Sequence, residues 1–263
     1  MRDVLLTFDN LGEAADLERG EWPPRHSLGR HPSVTRALPR LLDELQRRDL
    51  RATFFVEGLN CELYPDALRA IVARGHELAV HGWRHESWGK LASDRERELL
   101  TRATEAFERL GVAPRGFRPP GGGATEQTAP LLRELGYRFW SPSATDDQRA
   151  TSPRSLATLA FDWGLVDAFH LMQRFADLRV RRGAPAQPIS APACGEWFAE
   201  RLARDADEGS DVLILHPFLM LDEPWWAQVG GLLAMLAELR DTERVAVAPA
   251  GVVAARLGDE SGH

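Results

Sequence analysis

Long hydrophobic runs, cysteine and a basic surface are what this 263-residue sequence has little of. No apolar stretch approaches the roughly 18 residues that mark a membrane span. Its 32 Lys and Arg face 39 Asp and Glu, a net charge of −7, which argues against a generic nucleic-acid binder because phosphate neutralisation needs a basic face. Cys61 and Cys194 lie far apart and form no C-x-x-C ligand pair, so two thiols in a reducing compartment are expected. The nine residues from Met1 to Asp9 are too short and too soon acidic for a secretory signal, and the expectation is a cytoplasmic protein. Arginine far outnumbers lysine, which reflects a GC-rich coding background rather than a function. Apolar residues at 44% and charged residues at 27% are ordinary globular usage, sufficient for a sizeable core.

Short apolar strands alternate with amphipathic helices, a pattern that predicts an α/β fold with a parallel sheet. Strands are expected at 4–8, 53–56, 77–80, 116–117, 137–140, 156–161 and 212–215. Helices are expected at 32–48, 64–74, 94–110, 126–135, 166–178, 196–207 and 225–239, with Gly75, Gly111 and Gly136 as stops, and two apolar segments, 245–248 and 252–257, finish the chain. Residues 141–155 read as a polar loop and 179–192 as a long irregular connection. About seven strand–helix steps without an obvious boundary suit one barrel-like domain over 1–263, with chemistry where the strands end.

The polar residues fall at those ends. Asp9 closes the first strand, His81 the third, Arg118 the fourth, and His216 the strand at 212–215. A parallel barrel brings all four to one rim. His81 and His85 are four apart; on a helical turn both rings would face one divalent ion such as Zn²⁺, whereas on a continuing strand they would stand roughly 13 Å apart. The pair is therefore a ligand candidate only if the chain turns helical after Val80. Taken singly, each residue has a bland alternative: Asp9 as a cap, His216 as a core histidine, Arg118 as a solvated cation.

These stretches resemble the polysaccharide deacetylase family, carbohydrate esterase family 4. Thr7-Phe8-Asp9-Asn10 is similar to its Thr-Phe-Asp-Asp motif, and Ala52-Thr53-Phe54-Phe55-Val56 to a structural strand. His81-Gly82-Trp83-Arg84-His85 fits His-x-x-x-His, Arg118-Pro119-Pro120-Gly121 the third motif, and Leu213-Ile214-Leu215-His216-Pro217 the last. Residues 162–167 and the His-Pro form of the last motif are similar to an allantoinase-like, intracellular peptidoglycan-deacetylase-like subgroup. The resemblance implies a distorted (β/α)7-8 barrel, TIM-barrel-like, that hydrolyses an N-acyl group. It implies Asp9 as general base, Arg118 orienting it and His216 as general acid. Asn10, His81 and His85 would hold a divalent metal ion, zinc by expectation, and Pro119, Trp163 and Asp167 would meet substrate.

Asn10 departs from the family, which has a carboxylate there, and a neutral amide is a weaker ligand. Three outcomes stay open: Asn10 binds weakly, Asp9 or Glu13 supplies the missing acid, or the enzyme works without metal. A small acylated amine, formamide, cyclic imide or activated amino sugar is the expected substrate, with Trp22, Trp83, Trp88, Trp140 and Trp163 as candidate stacking faces and loops 12–31 and 141–155 overhanging the rim. Ring opening of a cyclic amide or ureide and a non-catalytic binding barrel are the alternatives.

Overall fold

A computed structural model describes residues 1–144, 156–204 and 209–260. Eight parallel strands form one curled sheet: β1 Arg2–Asp9, β2 Thr53–Val56, β3 Glu77–Val80, β4 Gly116–Phe117, β5 Phe139–Trp140, β6 Ala157–Thr158, β7 Ser210–Leu215 and β8 Val245–Val247. The order is β6-β5-β4-β3-β2-β1-β7, with β8 against the start of β1. The expected distorted, TIM-like barrel is what forms. Beyond the named strands, an isolated bridge from Ser143 to Phe161 extends the β5–β6 pairing, and another from Val166 to Ile214 brings the segment after β6 against β7. The 156–161 strand is thus only two residues long, and the aromatic segment behind it closes the gap.

Side chains alternate across each strand. Val4, Leu6, Phe8, Phe54 and Leu213 pack outward against the helices. Leu5, Phe55, Ala79, Phe139, Val212 and Ile214 fill the barrel interior. Continuing that inward parity, 5-7-9, 79-81 and 212-214-216, carries Asp9, His81 and His216 to the interior at the upper rim. Below, the helix Ala250–Glu260 closes the base, where Ala250 and Gly251 N–H groups donate to Thr53 Oγ1 (2.8 Å) and Glu77 Oε2 (3.0 Å).

The helices follow the sequence periodicity with particular exceptions. Leu38–Arg47 buries Leu38, Leu41, Leu42 and Leu45 as expected but starts from a π-helical turn at Ser33–Ala37. The expected helix 166–178 breaks at Met172, whose φ −107° and ψ 133° are extended, giving Asp167–Leu171, a 3₁₀ turn and Ala176–Arg181. The irregular connection is shorter than expected. Ser190 caps a helix at Ala191–Ala203, with Pro192 in its first turn where proline is tolerated. The bend before it is organised by buried Arg179, whose guanidinium donates to the carbonyls of Met172 (2.9 Å), Pro185 (3.2 Å) and Ala186 (2.6 Å). Most of the expected loop 141–155 and the end of the helix 196–207 lie outside the described residues. Among the described residues, no helix is long and apolar enough to cross a membrane.

Gly116 is required where β4 meets β5. A Cβ there would sit 2.0 Å from Cζ of Phe139, an interior ring with no exposed surface. Gly116→Ala is expected to cost about 1–3 kcal/mol by overpacking, read as a lowered thermal midpoint. An unchanged midpoint would contradict this packing.

Candidate active site

At the end of β1, the Asp9 carboxylate meets the guanidinium of Arg118, which follows β4. Arg118 Nη1 donates to Asp9 Oδ1 at 2.6 Å and to Thr7 Oγ1 at 2.9 Å, while Nε and Nη2 donate to Ser141 Oγ at 3.2 and 3.0 Å. Its Cζ stands 3.9 Å above the Phe55 ring. Arg118 is 1% exposed and Asp9 4%. Burial pulls the guanidinium pKa down and Asp9 offsets part of that, leaving it a cation at any physiological pH. Ser141, absent from the sequence expectations, has as its only signal a hydroxyl just past β5.

His81 follows β3 without a helical turn. The segment bends through two left-handed residues, Gly82 at φ +74° and His85 at φ +73°, and this bend, not a helix, brings the two ring centroids to 5.0 Å. Glu86 fastens it by accepting from the Trp83 N–H (3.0 Å) and the Arg84 N–H (2.9 Å). Glycine is needed at 82, because a Cβ would lie 2.8 Å from Glu86 Oε2 and 3.0 Å from Pro120 Cγ. His81 Nδ1 lies 2.8 Å from the Arg118 carbonyl. A carbonyl only accepts, so Nδ1 carries the proton and Nε2 presents its lone pair to the cavity. Burial, with the charge of Arg118 adding to it, pushes the His81 pKa down to about 3, and burial lowers that of His85 as well. Both imidazoles are neutral, the form a metal takes.

Asn10 adopts φ +59°, a left-handed conformation that asparagine tolerates. Its Oδ1 is buried with no hydrogen-bond partner, and the residue lines the same cavity as His81 and His85. An orphaned acceptor beside two neutral imidazoles fits a divalent cation held through two nitrogens and one amide oxygen. Glu13 does not supply a carboxylate: it is fully buried and turned away, accepting from the Gly29 N–H at 2.6 Å and from the Tyr64 hydroxyl. Among the described residues, no three His, Cys, Asp or Glu side chains gather as a metal-holding group. Any ion here would rest on His81, His85 and the Asn10 amide, with Asp9 Oδ2 standing 3.8 Å from His81 Nε2.

Across the cavity, His216 follows β7. Its Nδ1 donates to Asp167 Oδ1 at 2.5 Å and its backbone N–H to Oδ2 at 2.8 Å. Burial works against the charged ring, but the charge and hydrogen bond of Asp167 outweigh it and raise the His216 pKa. Asp167, expected to meet substrate, has no exposed surface; it stands behind the histidine instead. Free Nε2 faces the cavity as a proton donor.

Asp9, Asn10, His81, His85, Arg118, Pro119, Trp163 and His216 line one open cavity of about 210 Å³. Of the five candidate tryptophans, Trp163 alone lines it. Trp83 lies under the Arg102 guanidinium (3.8 Å), Trp88 donates to Glu96, Trp140 to Thr158, and Trp22 packs over His31. The first overhang is formed by a short helix, Ala14–Arg19, which brings Ala15, Asp16 and Arg19 to the mouth. The opposite wall is apolar: Phe161, Val166, Met172, Phe175, Ile214 and Phe218 join Trp163. The sequence reading missed all six, because they are ordinary core types until the barrel gap places them.

Residues 2–140 match the family model described as polysaccharide deacetylase. Peptidoglycan-N-acetylglucosamine deacetylase of Bacillus cereus is 32% identical over 111 residues, covering 41% of this chain and 40% of that protein. The chain matches 35–42% of the length of the first curated relatives. A Mycobacterium smegmatis crystal structure, provisionally called a polysaccharide deacetylase, superposes with a TM-score of 0.80 at 28% identity, covering 98% of this chain and 91% of that one. Puue allantoinase superposes at 0.72 with 18% identity, covering 100% and 91%, a likeness of fold alone.

Removing one member of the buried ion pair strands the other. Arg118→Leu is expected to cost about 3–5 kcal/mol, and the double variant Arg118→Leu/Asp9→Leu is expected to recover part of it. Chemical denaturation of the three proteins checks this; additive losses would contradict the coupling.

Proposed function

This chain belongs to the polysaccharide deacetylase family, and from that premise we propose that it hydrolyses the amide bond of a small N-acylated amine by deacetylation or deformylation. The observation that carries the reading is the opposition of two fixed groups on one cavity: a carboxylate held by Arg118 and an imidazole held by Asp167. Amide hydrolysis needs both, because water must lose a proton to attack and an amine leaves poorly until protonated. Asp9 Oδ2 is the base that accepts the water's proton. Oδ1 is occupied by Arg118, which fixes the direction of the carboxylate. His216 Nε2–H is the acid, delivering a proton to the leaving nitrogen, and Asp167 holds it in the protonated, correctly oriented form.

Asn10, His81 and His85 would hold the divalent ion. When bound, such an ion polarises the acyl carbonyl and makes its water more acidic. The three donors include no carboxylate, a set expected to bind the ion weakly. That observation favours a second reading, in which the same acid–base pair opens a cyclic amide or ureide with no need of the ion.

Asp9→Asn and His216→Asn are each expected to lower kcat by about 10²–10⁴, assayed on acetyl and formyl amides and on cyclic imides. Wild-type turnover by either variant would reject its role. Stoichiometric metal that is lost in His81→Ala, together with chelator-sensitive turnover, supports the first reading; full turnover of a cyclic imide under chelation supports the second.

The pH profile supplies a further check. The raised His216 pKa keeps the acid form populated to higher pH, so the basic limb of kcat lies above the ordinary histidine range. Asp167→Asn removes the group that raises it, and the basic limb is expected to move to lower pH. A limb that stays in place would assign the acid to another residue.

A further inference from the structure

The apolar wall beside His216 carries a specificity that follows from the proposed direction of proton transfer, and it rests on that reading. If His216 protonates the leaving nitrogen, the amine half of the substrate must lie against the neighbours of His216. Those are Phe218, whose ring centroid is 5.3 Å from the imidazole, and Val166, adjacent to Asp167. Beyond them, Trp163 packs against Phe161 (5.3 Å) and Phe175 (5.6 Å), with Met172 beside them on the cavity wall. These six side chains carry no hydroxyl, carboxamide or charge of their own, although Arg174, between Met172 and Phe175 in the chain, also lines the cavity. A sugar ring presents several hydroxyls, each costly to desolvate without a partner; an aryl or branched alkyl group is stabilised by the same surface.

The mouth is different. Arg19 and Arg174 both line the cavity and meet at one carboxylate oxygen, Glu21 Oε2, at 2.8 and 3.3 Å. Glu21 itself does not line the cavity, and its side chain is 50% exposed. Exposed ion pairs contribute about 0–1 kcal/mol, so a carboxylate arriving from within the cavity competes for these guanidiniums at low cost. Arg19 retains Asp16 as a second partner (2.6 Å), which leaves Arg174 the more available of the two.

We propose that the substrate is an N-acylated amine with an aromatic or branched apolar body and a carboxylate, the body lying on the Trp163–Phe218 wall and the carboxylate at Arg174 and Arg19. It is neither a polysaccharide nor a free amino sugar. The test compares N-acetyl-phenylalanine, N-acetyl-phenethylamine, which lacks only the carboxylate, and N-acetylglucosamine, on the full chain. The acid is expected to exceed the neutral amide in kcat/KM by about tenfold, one charge-assisted contact, and the sugar by more. In Arg174→Gln the acid-to-amide ratio is expected to fall towards one, through KM rather than kcat. Preference for N-acetylglucosamine, or an unchanged ratio in Arg174→Gln, overturns the proposal while leaving amide hydrolysis standing. If none of the three is hydrolysed, the proposed function fails, and binding decides the inference separately. Saturable quenching of Trp163 fluorescence (absent in Trp163→Phe) by N-acetyl-phenylalanine but not by the sugar supports it. Tighter binding of the sugar, or no binding of the acid, overturns it.

Discussion

The ion pair between Asp9 and Arg118 organises the upper half of this molecule. Two charges buried at 4% and 1% exposure carry a desolvation penalty that their attraction offsets only when the remaining hydrogen-bonding positions are filled. Thr7 and Ser141 fill those of the guanidinium, and the Phe55 ring lies beneath it. The pair therefore reaches across the barrel, from β1 to β4, over the intervening strands. Arg118 has a second role through its backbone: its carbonyl takes the Nδ1 proton of His81 and so fixes which ring nitrogen faces the cavity. One residue thus sets both the direction of the base and the tautomer of a candidate ligand.

The distortion of the barrel explains the rest of the cavity. Seven strands follow one another by hydrogen bonds, but β6 and β7 do not pair. Among the described residues, the segment that crosses between them makes two isolated bridges, and what it lacks in backbone pairing it supplies in aromatic packing. Phe161, Trp163 and Phe169 belong to the interior core, and the first two also line the cavity. The same gap places Asp167 directly behind His216. An incomplete sheet is therefore what joins an apolar wall to a proton donor.

Asn10 shows how little of a fold's chemistry its topology decides. The backbone presents residue 10 in a left-handed conformation beside two neutral imidazoles, and the side chain there ends in a neutral oxygen without a partner. Its geometry suits a ligand; its charge does not match that of a carboxylate. Glu13, nearby in sequence, is committed to Tyr64 and Gly29 and cannot compensate.

Strand parity made the fold and the rim legible from the amino acids alone. Apolar runs ending in Asp9, His81, Arg118 and His216 can satisfy their polar ends only at an open edge, and helix stops such as Gly75 and Gly136 are local backbone requirements. Three features needed the tertiary structure. The His81–His85 approach comes from two left-handed residues pinned by Glu86, a contact that spacing by itself misreads as a helical turn. The commitment of Asp167 to His216 joins residues 49 apart, and the apolar wall consists of residue types that are indistinguishable from core until a missing strand pair leaves them facing a cavity. Local periodicity reports which way a side chain points; only the closure of the sheet decides what it points at.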